Sequence, residues 1–222
     1  MPDCRARTDF DIQSDVVAEL AADVGTASTD VAVSVRDGVV RLGGEVESLA
    51  KRTAAVRAAE RIRGVHAVVD EIFVQLPTEH RRTDAELAHA VVDALIWDTE
   101  VPDKTIKARV QDHWVWLVGE ADRQYQRLAA QHAVENITGV AGVTNLVRIK
   151  RRPVSPTLKD DIERALARNA MLAPREIDVA VDGGRAVLTG RVGTWRERVH
   201  AEEIAWTPSG VTEVDNQLEL DH

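Results

Sequence analysis

A chain of 222 residues, 44% hydrophobic and 29% charged, has the length and composition of a globular protein of one or two ordinary domains. Its net charge of −9 sets an acidic surface against phosphate backbones, so no nucleic-acid partner is expected. The single cysteine, Cys4, excludes a disulfide framework and a thiolate metal site. No stretch approaches the ~20 apolar residues of a membrane span, and no transmembrane segment is expected. No apolar run of signal-peptide length follows Met1, so the expectation is a cytoplasmic protein as written, or a periplasmic one if a leader has been trimmed. The charge is uneven: residues 9–80 carry 13 acidic and 7 basic side chains, residues 81–149 carry 10 and 8, and residues 150–222 carry 13 and 11.

Residues 1–10 read as a tail. From there the chain repeats itself three times, over residues 11–76, 84–150 and 155–221. Gly44, Gly119 and Gly190 fall in register at offsets of 75 and 71, and the same offsets align Gly64, Gly139 and Gly210. No gap is needed inside a copy, so the difference in offset lies in the linkers, where duplicated modules tolerate length change. Modules of roughly 70 residues are near the lower limit for burying enough apolar surface to fold alone.

Each copy opens with apolar residues at i, i+4 and i+8: Ile12, Val16, Leu20; Leu87, Val91, Leu95; Leu158, Ile162, Leu166. That spacing predicts a helix with one buried face, and Thr83 with Glu86 predicts a capping box at the start of the second copy's helix. Period-two alternation follows at Val31, Val33, Val35, at Ile106, Ala108, Val110, and at Ile177, Val179, Val181, predicting a half-buried strand. A turn at Arg36-Asp37-Gly38, Gln111-Asp112-His113 or Asp182-Gly183-Gly184 leads into a second strand. There Val40 and Leu42, Val115 and Leu117, and Ala186 and Leu188 share a face, and the strand is expected to end at Gly44, Gly119 or Gly190. The second helix carries Ala55, Ala58, Ala59, Ile62; Ala130, Ala133, Val134, Ile137; and Ala201, Ile204, Ala205. Pro208 is expected to stop the third copy's helix early, and Thr194 with Glu197 to cap its start. A last strand follows the second glycine. The fold class expected is α+β: three tandem αββαβ modules, each a three-stranded mixed sheet with two helices on one face.

The Gly-x-Val of the second strand, the Ala-rich helix and the segment Gly210-Val211-Thr212-Glu213-Val214-Asp215-Asn216-Gln217-Leu218 resemble the BON (bacterial OsmY and nodulation) domain. Copy one departs at Asp70, where the others have Asn145 and Asn216. The resemblance implies a role in osmotic or envelope stress with phospholipid binding, and the ligand expected is a protein partner or an anionic phospholipid. A relative joining a BON to a LysM domain implies K⁺ as an alternative ligand.

Catalysis finds no arrangement of residues to support it. The seven histidines form no His-x-x-x-His pair, there is no Gly-rich phosphate loop and no Gly-x-Ser-x-Gly elbow, and no cofactor is expected. The best candidate surface is aromatic: Trp114 and Trp116 alternate with Val115 and Leu117, so they belong on the sheet face away from the helices. They read either as a partner or lipid-headgroup surface or as a seam between repeats. Trp97 and Trp195 read as single amphipathic surface residues, and Trp206 as packing at the broken helix end. Basic residues before repeat starts, Arg81 and Arg82 and then Lys150, Arg151 and Arg152, read as anion-binding punctuation or as solvated hinges. Gly44, Gly64, Gly119, Gly139, Gly190 and Gly210 read as structural.

Overall fold

A computed structural model describes residues 7–22, 30–76, 82–151, 153–172 and 176–220. The elements run α1 (Asp9–Ala22), β1 (Asp30–Arg36), β2 (Val39–Val46), α2 (Leu49–Glu60) and β3 (Ala67–Val74) in the first repeat. The second has α3 (Asp84–Trp97), β4 (Ile106–Gln111), β5 (Trp114–Ala121), α4 (Gln124–Glu135) and β6 (Gly142–Ile149). The third has α5 (Leu158–Ala167), β7 (Ile177–Asp182), β8 (Arg185–Val192), α6 (Trp195–Ala205), β9 (Glu213–Asn216) and β10 (Glu219–Leu220). The repeats are thus three αββαβ modules.

In each sheet the second strand is central. β4 pairs antiparallel with β5 through a two-residue turn, whereas β6 runs parallel to β5 and needs α4 as its crossover. In the third repeat β9 and β10 both pair parallel with β8 in one continuous register, so they are a single third strand interrupted at Gln217-Leu218.

The helix stripes are buried as their spacing requires: Ile12, Val16 and Leu20 on α1, Leu87, Val91 and Leu95 on α3, Leu158, Ile162 and Leu166 on α5. They meet Val40 and Leu42, Val115 and Leu117, and Ala186 and Leu188 from the central strands, all fully buried. Alanines on the second helices (Ala58, Ala59; Ala129, Ala130; Ala201, Ala205) let the helix lie close on the sheet. The chain divides into two compact units. One comprises Met1–Gly44, Ala54–Ile72 and Arg152–His222, and the other Glu45–Thr53 and Phe73–Arg151. In the second unit Leu49 joins the core of Leu87, Leu117 and Val134, with Val74 packed against it.

Thr83 and Glu86 form the expected capping box of α3. Thr194 accepts from the Glu197 N–H, but the Glu197 carboxylate reaches the Gly193 N–H, one residue further back. Two expectations are corrected. The central strands do not end at Gly44, Gly119 and Gly190 but continue two residues to Val46, Ala121 and Val192. The glycine is there because the first strand enters across it: a Cβ on Gly119 would lie 2.0 Å from the Thr105 carbonyl oxygen, and one on Gly190 2.2 Å from that of Glu176. Nor does Pro208 shorten α6 materially. It ends at Ala205, one residue short of the position matching the end of α4, because Trp206 still has helical backbone and Pro208 lies beyond it.

Gly119 is at φ +130°, so Gly119→Ala should cost on the order of 1–3 kcal/mol from backbone strain alone, read by urea unfolding. Gly43→Ala, in a strand at a site with nothing within 4 Å of the added methyl, should be neutral or stabilising. Equal losses at the two sites would refute the account of Gly119.

Candidate functional site

The central strand β5 alternates between two surroundings. Val115, Leu117 and Ala121 are buried under the helices, while Trp114, Trp116 and Val118 lie on the opposite face. Register supplies their neighbours. Gln111 and Gly142 flank Trp114, Arg109 and Thr144 flank Trp116, and Lys107 and Leu146 flank Val118. Trp114 lies across β6, where a Cβ on Gly142 would come within 2.4 Å of the indole, and its Nε1–H donates to Thr144 Oγ1 at 2.9 Å. Its ring centroid is 6.4 Å from that of Trp116, tilted by 43°. The Arg109 guanidinium sits 5.7 Å from the Trp116 centroid, in cation–π range. Both indoles thus have their neighbours within their own sheet, yet Trp114 remains 36% exposed, Val118 41% and Leu146 55%. Lys107, Arg109 and Arg148 are exposed on this face, with Glu120 the one carboxylate among its strand positions. Gly142, Arg109 and Lys107 were not singled out from sequence. The clue was available in Gly142, which stands where the other copies have Ala67 and Glu213.

The corresponding face of the third repeat has opposite chemistry. Arg185 takes the place of Trp114, between Asp182 and Glu213. Its guanidinium bonds Asp215 at 2.7 Å and lies 3.5 Å from Glu213, while Arg191 faces Glu219 at 3.8 Å. The Arg185 bond holds the Asp215 carboxyl below its usual range. In the first repeat Arg41 pairs with Glu71 at 3.8 Å.

The linker cations stand apart from the aromatic face. Lys150 follows β6 at the end away from Gly142, roughly 26 Å along the strand, and its ammonium lies 3.4 Å from Asp122. The stem of Arg82 lies over Gly139, and Arg151 is exposed. Arg81 and Arg152 lie outside the described residues. Trp97 is 84% exposed on α3, and Trp206 packs against the third repeat's core. Among the described residues no group of three or more His, Cys, Asp or Glu is gathered as a metal site, and no helix is long and apolar enough to cross a membrane.

One structural device escaped the sequence reading. Asp9 accepts from the Asp37 and Gly38 N–H groups at 2.8 and 3.0 Å, and Asp84 does the same with Asp112 and His113. Each pins the β-turn to the start of the repeat's first helix, and these bonds lower both carboxyl pKa values. The third repeat has Ser155 at that position and the Gly183-Gly184 turn.

A family model described as BON domain matches residues 8–75, 83–151 and 155–221. The chain is 31% identical over 146 residues to a protein of Escherichia coli (strain K12) named osmotically-inducible protein Y, covering 64% of this chain and 73% of that one. Among solved structures, one titled as CdsD, a structural protein of the type III secretion system of Chlamydia trachomatis, matches at 16% identity over 95% of this chain and 92% of that one. Its TM-score is 0.26.

Trp195 is not the isolated surface residue its sequence position suggested. The Arg198 guanidinium lies 5.1 Å from its ring centroid, and the indole is near enough to the Glu60 carboxylate of the first repeat to favour its ionised form. Burial raises the Glu60 pKa above its ordinary 4.5, against the lowering effects of Arg57 and the nearby Trp195. A carboxyl shifted this way binds more protons folded than unfolded just above pH 4.5, so stability falls as pH rises through that window. Glu60→Gln keeps an acceptor for the indole and removes the charge. It should flatten that fall and raise Tm at neutral pH by on the order of 2 °C; an unchanged melting profile would mean the carboxylate is fully solvated.

Proposed function

This chain belongs to the BON domain family, its three repeats spanning nearly all of it, and from that membership we propose that it is a non-enzymatic, osmotic-stress-associated binding protein whose second repeat engages anionic phospholipid through its open sheet face. The stress association rests on the family and on the name of its Escherichia coli relative. The observation that carries the binding reading is the pairing of two adjacent indoles with Lys107, Arg109 and Arg148 on one exposed face of a chain whose net charge is −9. Indoles insert at the headgroup level, where one end of the ring is apolar and the other wet, and each basic residue near an anionic surface adds about 1 kcal/mol. An acidic protein partner would meet the same groups. The non-enzymatic reading rests on the family membership.

The test is co-sedimentation with phosphatidylglycerol-containing vesicles beside phosphatidylcholine vesicles. Wild-type protein should pellet with the anionic vesicles and be released by salt. Trp114→Ser with Trp116→Ser should weaken binding by about tenfold or more while the melting curve holds. Lys107→Ala with Arg109→Ala should weaken it and flatten the salt dependence. Binding that survives both pairs, or is equal on neutral vesicles, removes this face from the reading. Loss of several degrees in Tm for the tryptophan pair would assign the indoles to packing.

A further inference from the structure

The second and third repeats present homologous sheet faces with complementary chemistry. On the second repeat's face three basic residues, Lys107, Arg109 and Arg148, stand against one carboxylate, Glu120. On the third repeat's face five carboxylates, Asp178, Asp182, Glu213, Asp215 and Glu219, stand against Arg185 and Arg191. Arg185 alone answers to Asp182, Glu213 and Asp215, so the carboxylates outnumber the groups that neutralise them. Four of the five carboxylates are exposed, and Asp215 is half-buried. Arranged along the strands of one sheet face, they offer a row of anionic oxygens, as a lipid headgroup layer does.

We propose that the aromatic, basic face of the second repeat docks on the acidic face of the third repeat in a second copy of this chain, and that this docking competes with anionic lipid for the same site. The competition rests on the lipid reading above; the docking rests on the two faces alone. Size makes the contact weak. Three strands about 4.8 Å apart and eight residues long present roughly 370 Å², under half of the ~800 Å² per partner of a standard stable interface. Because the two faces differ, the contact is head-to-tail, and each docked pair keeps one face of each kind unfilled for the next copy. The result is a concentration-dependent, salt-sensitive series of short oligomers, strongest at low salt despite the like net charge of the copies, because opposite charges meet within a Debye length.

The experiment is sedimentation velocity on the full chain without lipid, from micromolar to near-millimolar concentration. The sedimentation coefficient should rise with concentration and fall back on adding salt. Lys107→Glu with Arg109→Glu should leave the chain monomeric, and so should Asp178→Lys with Glu213→Lys. An equimolar mixture of these two variants should associate again although neither does alone, since both faces of one are then acidic and both faces of the other basic. All four substitutions in one chain exchange the charges and should restore self-association, which a merely misfolded variant would not. Wild-type protein that stays monomeric throughout overturns the docking, as does a variant mixture that fails to associate. With the docking established and vesicles in excess, the fraction of wild type bound to phosphatidylglycerol vesicles should fall as protein concentration rises through the self-association range, while that of the Asp178→Lys, Glu213→Lys variant stays constant. A wild-type fraction that does not fall overturns the competition. Wild type that self-associates without binding vesicles refutes the lipid reading and leaves the docking intact.

Discussion

The constraint behind this molecule is that two helices cover only one face of a three-stranded sheet. The third strand runs parallel to the centre, so it can be reached only through a crossover helix, and that helix and the opening helix pack on the same side. Strand alternation then separates every central strand into residues that build the core and residues that face away from it. Val115 and Leu117 belong to the first set, and Trp114 and Trp116 to the second. The inner set leaves little room for change, because each is fully buried against helix stripes at close-packed density. The outer set is released from packing under the helices.

Small modules hold this arrangement with local bonds, and the copies differ in which ones they use. Asn145 donates to the Arg127 carbonyl of α4 at 2.8 Å while its own oxygen accepts from the Val147 N–H, tying the last strand to the crossover helix. Asn216 repeats both bonds with Arg198 and Leu218. Asp70 keeps only the half a carboxylate can supply, accepting from the Ile72 N–H. The turn clamp varies similarly: Asp9 and Asp84 bind the turn amides from the helix start, and the repeat with Ser155 has two glycines in its turn. The repeat carrying His113 at φ +64° is one of those with the carboxylate clamp, consistent with a side chain there being costly to hold.

The fold was legible in sequence because its determinants are periodic. The i, i+4, i+8 stripes and the alternating strands predicted which side chains are buried, and three copies in gap-free register turned weak local patterns into one topology. What remained hidden depends on contacts between residues distant in sequence. That the glycine of the central strand is crossed by the incoming Thr105 carbonyl, rather than ending the strand, follows from a close approach that no local pattern encodes. The approach of Trp195 to Glu60 brings together residues of two different repeats. The aromatic pair and its orientation could be read from alternation, but Lys107, Arg109 and Gly142 joined it only once register fixed which neighbours lie beside which indole.

The third repeat settles whether the fold itself needs indoles on the outer face. At the same strand positions it has Arg185 and Val187, with carboxylates across the ladder, and its core still closes around Leu158, Ile162, Leu188 and Leu218. A solvated ion-pair ladder therefore satisfies the architecture, costs no exposed apolar area and adds little to stability. The second repeat instead keeps two tryptophans beside Val118 and Leu146 in partial contact with water, and gives up a side chain at Gly142 to seat one of them. Exposed apolar area in one contiguous patch is an aggregation liability unless something covers it in use. Packing in this architecture does not demand the patch, and solubility opposes it.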